Sequence, residues 1–183
     1  ASDTMLVAAS LAHYETQQRL LTSENSNGFL PGEAGAALLI ESARNHPGGV
    51  LKCEGLGFAV ESAHVDSEEP LRAEGLTAAI KASLSDAGCE MGDLDFRITD
   101  VSGEQYYFKE ASLALSRTLR SRKDKFDIWH PADCIGEVAD ALTFMIIPHL
   151  FFKIVFIMKV RASATQQSCG RIRLADVRIR LET

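Results

Sequence analysis

The sequence predicts an α/β layered fold, a mixed central sheet with helices packed on it. Apolar runs of strand length alternate with longer stretches of helical periodicity, in the order helix, two strands, helix, strand, helix, strand, helix, two strands. The 183 residues are 46% hydrophobic and 24% charged, enough for a sizeable core and too ordinary for a disordered or collagenous chain. No internal repeat or low-complexity tract is visible.

Each element has its own warrant. Leu6, Val7, Leu11, Tyr14 and Leu20 recur at close to helical spacing and predict a helix over Met5–Leu21, with Thr22–Gly28 as a polar loop. Ala36–Ile40 is short and apolar, as a buried strand should be. His46-Pro47-Gly48-Gly49 is a turn by composition. Val50–Val60 follows as a second strand, paired with the first as a hairpin, its Gly55 and Gly57 marking a bulge or a close backbone approach. Asp66–Pro70 is an acidic loop, and Leu71–Ala87 is a helix stopped by Gly88. Asp95–Val101 alternates like a strand, and Glu104–Leu119 has the apolar face of a helix. Ile128-Trp129 makes a short strand, and Asp133 caps a helix running through Ile147. Phe151–Val160 and Arg171–Leu181 complete the strands.

Charge narrows the partners. Residues 1–140 hold 12 Lys/Arg against 23 Asp/Glu, a balance of −11, whereas residues 141–183 hold 7 against 2, a balance of +5. Nucleic acid is excluded as the main partner, since phosphate binding needs clustered cations. The acidic part is equally unsuited to an anionic membrane surface. Cys53, Cys89, Cys134 and Cys169 are scattered, with no close pair to hold zinc, so no metal is expected. Reduced thiols and the absence of a secretory signal predict a cytoplasmic protein. The start, Ala1-Ser2-Asp3-Thr4-Met5, reads as processed, tagged or truncated.

Several stretches carry a resemblance. Asn27-Gly28-Phe29-Leu30-Pro31-Gly32-Glu33-Ala34-Gly35-Ala36 resembles the glycine-rich signature that opens the second half of β-ketoacyl synthases. Leu71–Asp100 resembles the following helix and strand, and Asp127–Ala141 resembles the segment carrying that family's Lys and second His. Asp66–Arg72, Asp100–Tyr106 and Trp129–Cys134 are similar to a divergent synthase-like subfamily whose members are often found near bacterial type VI secretion genes. The resemblance spans roughly residues 5–141 and implies the C-terminal half of a thiolase-like layered fold, of the kind used by 3-oxoacyl-carrier-protein synthases.

That resemblance implies residue roles. Decarboxylating synthases use a thiolate nucleophile and two His that stabilise developing anions. Set against the family's Asn-Ala-His-Gly-Thr, Asp100-Val101-Ser102-Gly103-Glu104 puts Ser102 at the first His. Set against Lys-Ser-x-x-Gly-His, Ala132–Glu137 puts Ala132 at the Lys and Glu137 at the second His. The nucleophile segment would precede Ala1. His130 is the histidine beside either motif and reads as a structural or surface residue in preference to a displaced catalytic substitute. Phe29, Gly32, Gly35, Gly103 and Gly136 are the expected acyl-pocket and backbone positions. Read from the residues, Ser102, Glu104 and Glu137 are plain loop and cap residues in preference to a polar ligand pocket at the sheet's C-terminal edge, in which Glu104 and Glu137 could act as an acid–base pair.

Other features have plain readings. Cys134, at a predicted helix start, is a buried inert thiol in preference to a reactive one. Leu142–Val160 is core in preference to a membrane span, being interrupted by Pro148, Lys153 and Lys159. The alternating Arg171–Leu181 region is a half-buried strand, its sharper reading a basic edge for an acidic carrier.

The expected organisation is 1–30 as the end of the nucleophile half, 31–141 as the synthase-like half, and 142–183 as a divergent tail completing the sheet. The function implied is a non-condensing, synthase-like unit binding an acyl group, an acyl carrier protein or acyl thioester, or a partner chain, as a homodimer or paired with an N-terminal half. No cofactor is expected. The alternative is an active acyltransferase whose nucleophile lies in a missing N-terminal half. A third reading is a standalone α/β domain whose motif match is coincidental.

Overall fold

In chain order the elements are β1 (Ser2–Thr4), α1 (Ala8–Thr16), β2 (Glu33–Gly35), β3 (Leu51–Val60), α2 (Glu74–Ala87), a 3-10 turn at Met91–Asp93, β4 (Phe96–Ile98), α3 (Gln105–Thr118), β5 (Asp127–Trp129), α4 (Ala132–Ile135) and β6 (Phe152–Val160). The computed structural model describes residues 2–35, 51–130, 132–138 and 152–160. The fold is mixed α/β, as the alternating pattern predicts. Among the described residues the strands form three pairs: β1 with β2 antiparallel, β3 with β6 antiparallel, and β4 with β5 parallel.

The centre of the molecule is α2 laid on β3. The register of β3 slips between Cys53 and Gly55, and a Cβ at Gly57 would stand 2.0 Å from the Ala79 carbonyl oxygen. The strand therefore carries both the bulge and the close approach expected of its glycines. The residue before α2, Ala73, is in a left-handed conformation with φ 53 and has no side chain able to cap the helix. The buried Glu61 carboxylate supplies the cap from the end of β3, accepting the Gly75 N–H at 2.8 Å and the Ala63 N–H at 3.3 Å. A carboxylate suits that position because it faces the positive end of the helix dipole. At the other end Gly88 takes the left-handed stop, φ 65, read from the sequence.

Leu84 and Met91 form the buried centre between α2, the 3-10 turn and α3, with Ile80, Leu94, Leu115, Leu119 and Phe126 packed on them. Arg97 and Lys123 lie over the Phe126 ring at 4.7 and 4.8 Å, and Lys123 donates to the carbonyls of Gly92 and Leu94. Alternate residues of β3, Leu56, Phe58 and Val60, are exposed. So are Phe96, Ile98 and Trp129 on β4 and β5, the first and last of these rings stacked at 5.2 Å.

Two helices differ from their expected extent. The helix predicted over Met5–Leu21 is α1 alone, because Val7 is extended and Gln18 turns left-handed with φ 55. Arg19–Leu21 are then drawn out beside Phe29, through Phe29 N–H to Arg19 O at 3.0 Å and Leu21 N–H to Phe29 O at 2.9 Å. Of the helix predicted from Asp133 through Ile147, the described part is helical only to Ile135, and residues 139–147 lie outside the described residues. Gly136 follows with φ 76, and the Glu137 N–H bonds the Leu30 carbonyl at 2.7 Å instead of continuing a helix. The strand of Asp95–Val101 contracts to β4, while β3, α2, α3, β5 and β6 stand close to where they are expected. Ala36–Ile40, its hairpin and Arg171–Leu181 lie outside the described residues. The partner of β3 among the described residues is β6. No helix of the described residues is long and apolar enough to cross a membrane.

Candidate functional site

Two segments far apart in sequence, around Gly103–Gln105 and Gly136–Glu137, meet on the stretch Asn27–Gly32. Glycine makes the meeting possible at each contact. Gly103, with φ 116, lies so close to the Gly28 carbonyl that a Cβ there would stand 2.5 Å from its oxygen. Gly136 lies against Gly32 and Leu30, a Cβ standing 2.9 Å from each contact. Between them Glu137 makes a parallel bridge with Pro31, closed by Gly32 N–H to Glu137 O at 2.8 Å. α3 lacks a side-chain cap at Glu104, and Asn27 provides one in trans: its Oδ1 accepts the Gln105 N–H at 2.8 Å.

A buried polar cluster locks this junction. Arg19 Nε and Nη2 donate to the two oxygens of Glu104 at 2.8 and 2.9 Å, a bidentate pair. The guanidinium also lies 5.3 Å from the Tyr14 ring centre and 5.8 Å from that of Phe29, and those two rings meet edge to face at 5.1 Å. Burial alone would pull the Arg19 pKa down. The bonds and charge of Glu104 outweigh it and hold the pKa above the ordinary arginine value. Burial pushes the Tyr107 hydroxyl well above the ordinary tyrosine value, with Arg19 pulling the other way and Glu104 and Asp100 adding to the rise. Tyr14 moves up by burial too, with Arg19 again opposing and Glu104 and Glu137 adding. Both phenols therefore stay protonated hydrogen-bond donors at neutral pH.

Beside this cluster are the carboxyl ends of the parallel strands β4 and β5, the edge where ligands bind in open α/β sheets. The loop after β4 carries Ser102, Gly103 and Glu104; the one after β5 carries His130, Gly136 and Glu137. The Thr99 N–H continues the ladder to the Trp129 carbonyl at 2.9 Å, and Thr99 Oγ1 lies 3.3 Å from His130 Nδ1.

The residues singled out in the sequence are placed as follows. Ser102, His130 and Glu137 are half-buried in the two loops, and Ser102 makes no side-chain hydrogen bond among the described residues. Phe29 is 1% exposed, its ring packed edge to face against Tyr14. Gly32, Gly103 and Gly136 are the backbone contacts just given. Gly35 is apart from them, exposed in β2 and paired with Ser2. The expected Glu104–Glu137 acid–base pair is corrected: Glu104 is 5% exposed and its carboxylate is fully engaged by Arg19. Cys134, expected to be buried, is exposed on the four-residue α4. No group of three or more His, Cys, Asp or Glu among the described residues could hold a metal ion. Arg19, Tyr14, Tyr107, Asn27 and Thr99 were not visible as site residues in the sequence. The available signal was slight: Arg19 is an isolated cation in an acidic stretch.

No family model matches the chain. Its sequence is 31% identical over 113 residues to a Streptomyces cyaneus protein named "Putative polyketide beta-ketoacyl synthase 2". That match covers 61% of this chain, which spans 27% of the relative's length. A β-ketoacyl-synthase-like relationship follows from it, in agreement with the three motif segments that the fold gathers around Asn27–Gly32.

Proposed function

We propose that this chain is the C-terminal part of a thiolase-like, β-ketoacyl-synthase-like unit that binds an acyl thioester or its carrier protein without performing condensation. The observation that carries the reading is the convergence of the three motif segments, 27–35, 100–105 and 132–137, with Ser102 and Glu137 at the places where the resemblance calls for histidine. Condensation needs donors facing a developing anion. A carboxylate at Glu137 opposes such an anion, and the neighbouring Glu104 is neutralised by Arg19. Beside Arg19 stand two protonated tyrosines, Tyr14 and Tyr107, and the loop after β5 adds the half-buried His130, hydrogen-bonding chemistry suited to holding a carbonyl group.

In this reading residues 1–30 close the nucleophile half, 31–141 form the synthase-like half and 142–183 complete the sheet. The exposed apolar residues of β3, β4 and β5 fit a unit that pairs with a second copy or with an N-terminal half. A cytoplasmic place and a carrier-protein partner go with it.

A second reading is favoured by the Thr99–His130 contact, which gives one histidine a defined setting at the strand ends. There the unit is an acyltransferase and His130 takes a catalytic part. Incubating the full chain with malonyl- and acyl-thioesters separates the two. Retention of the acyl ligand with no turnover supports the binding unit. Turnover that disappears in His130→Ala or Glu137→Gln overturns it in favour of the enzyme.

A further inference from the structure

The register of the parallel pair makes Thr99 and His130 the next residues after Ile98↔Trp129, side by side at the carboxyl ends of β4 and β5. The Thr99 N–H bonds the Trp129 carbonyl, which fixes the two backbones at that point, and the two side chains then meet through Oγ1 and Nδ1 at 3.3 Å in a half-buried setting. A hydroxyl can give one proton and accept two, whereas a neutral imidazole has one donor and one acceptor nitrogen. The Thr99 hydroxyl has no other hydrogen-bond partner among the described residues. If Nδ1 carried the ring proton, the hydroxyl proton would have no acceptor among the described residues. If the hydroxyl donates to Nδ1, the hydroxyl proton and the Nδ1 lone pair are both used, and the ring proton is on Nε2.

We infer that Thr99 is a positioning residue for His130: its hydroxyl donates to Nδ1, selects the Nε2–H tautomer, and so makes His130 a hydrogen-bond donor at the carboxyl ends of β4 and β5. The ligand class this suits is a carbonyl oxygen, such as that of an acyl thioester. That last step rests on the function proposed above. The tautomer itself does not.

The test is long-range 15N–1H correlation on full-length protein labelled at histidine, at alkaline pH. In the unsubstituted protein His130 should show a protonated Nε2 and an unprotonated, hydrogen-bonded Nδ1. Thr99→Val should lower the Nε2–H to Nδ1–H ratio by about fivefold, the equilibrium worth of one side-chain hydrogen bond. Thr99→Ser should restore it, a rescue that a purely structural role for Thr99 would not require. A dominant Nδ1–H form in the unsubstituted protein overturns the inference without any variant having to fold. So does an unchanged ratio in Thr99→Val. Adding a non-hydrolysable acyl-pantetheine thioether ketone then reads the other layer. A downfield Nε2–H supports carbonyl recognition, and an unmoved resonance beside an intact tautomer overturns the acyl reading while leaving the Thr99–His130 pair in place.

Discussion

Arg19 and Glu104 are 85 residues apart in sequence and meet through two parallel hydrogen bonds of 2.8 and 2.9 Å. The pair ties the stretch after α1 to the N-terminus of α3, and with it the glycine-rich segment to the loop that follows β4. Removing one partner leaves the other charge in a site with little water. Arg19→Met should therefore destabilise the protein by about 2–4 kcal/mol, near the scale for breaking a buried pair and reduced for the part of Arg19 that reaches solvent. Urea unfolding measures it, and a loss below about 0.5 kcal/mol would mean the pair behaves as a surface one.

Two left-handed glycines should respond very differently to a methyl group. Gly88, with φ 65, has nothing within 4 Å of its missing Cβ, so Gly88→Ala meets only backbone strain, about 1 kcal/mol. Gly103→Ala adds a collision with the Gly28 carbonyl oxygen to a φ of 116 and should cost about 3 kcal/mol or more. Thermal unfolding of the two variants side by side ranks them, and equal midpoints would contradict the close approach.

Tyr107 should make the fold sensitive to alkali. Its pKa is raised in the folded state above the ordinary 10.0, mainly by burial. Its contribution is fully present below about pH 10. As pH climbs beyond that, the unfolded chain loses the phenolic proton while the folded one retains it, and stability falls. Tyr107→Phe should flatten the decline above pH 10. The check is absorbance at the tyrosinate band, in which Tyr107 should ionise only together with unfolding.

Phe29 is the anchor of the glycine-rich segment, 1% exposed with Tyr14 against its edge. Phe29→Ala should cost about 3–5 kcal/mol, the usual range for emptying a buried aromatic site. Phe29→Leu should recover more than half of that. Denaturation midpoints for both variants decide whether Phe29 packs the core, as its burial implies, or lines an open pocket, in which case both losses would be small.

Much of the architecture was legible because it depends on local rules. α2 and α3 declare themselves by apolar spacing, Gly88 by its place after the last helical turn, and β3 by a strand-length, largely apolar stretch with glycines where α2 presses on it. The two misplaced helix ends show where local rules lose. Apolar periodicity continues past Thr16, but Arg19 has a distant carboxylate to meet, and that contact outweighs another turn of helix. Asp133 looks like the start of a long helix, but Gly136 and the Leu30 carbonyl take the chain into a strand-like bridge first.

By itself the sequence determined the α/β class, most element positions, and which three segments resemble a synthase. Those features are written in neighbouring residues. Only the tertiary structure decided that the three segments share one junction, that Glu104 belongs to Arg19 and not to Glu137, and that Thr99 faces His130. Each of these is a contact between residues at least 31 positions apart, whose partner no periodicity or motif can name. The strand register and the close glycine contacts set those distances, and through them which charges are neutralised and which donors are left to meet a ligand.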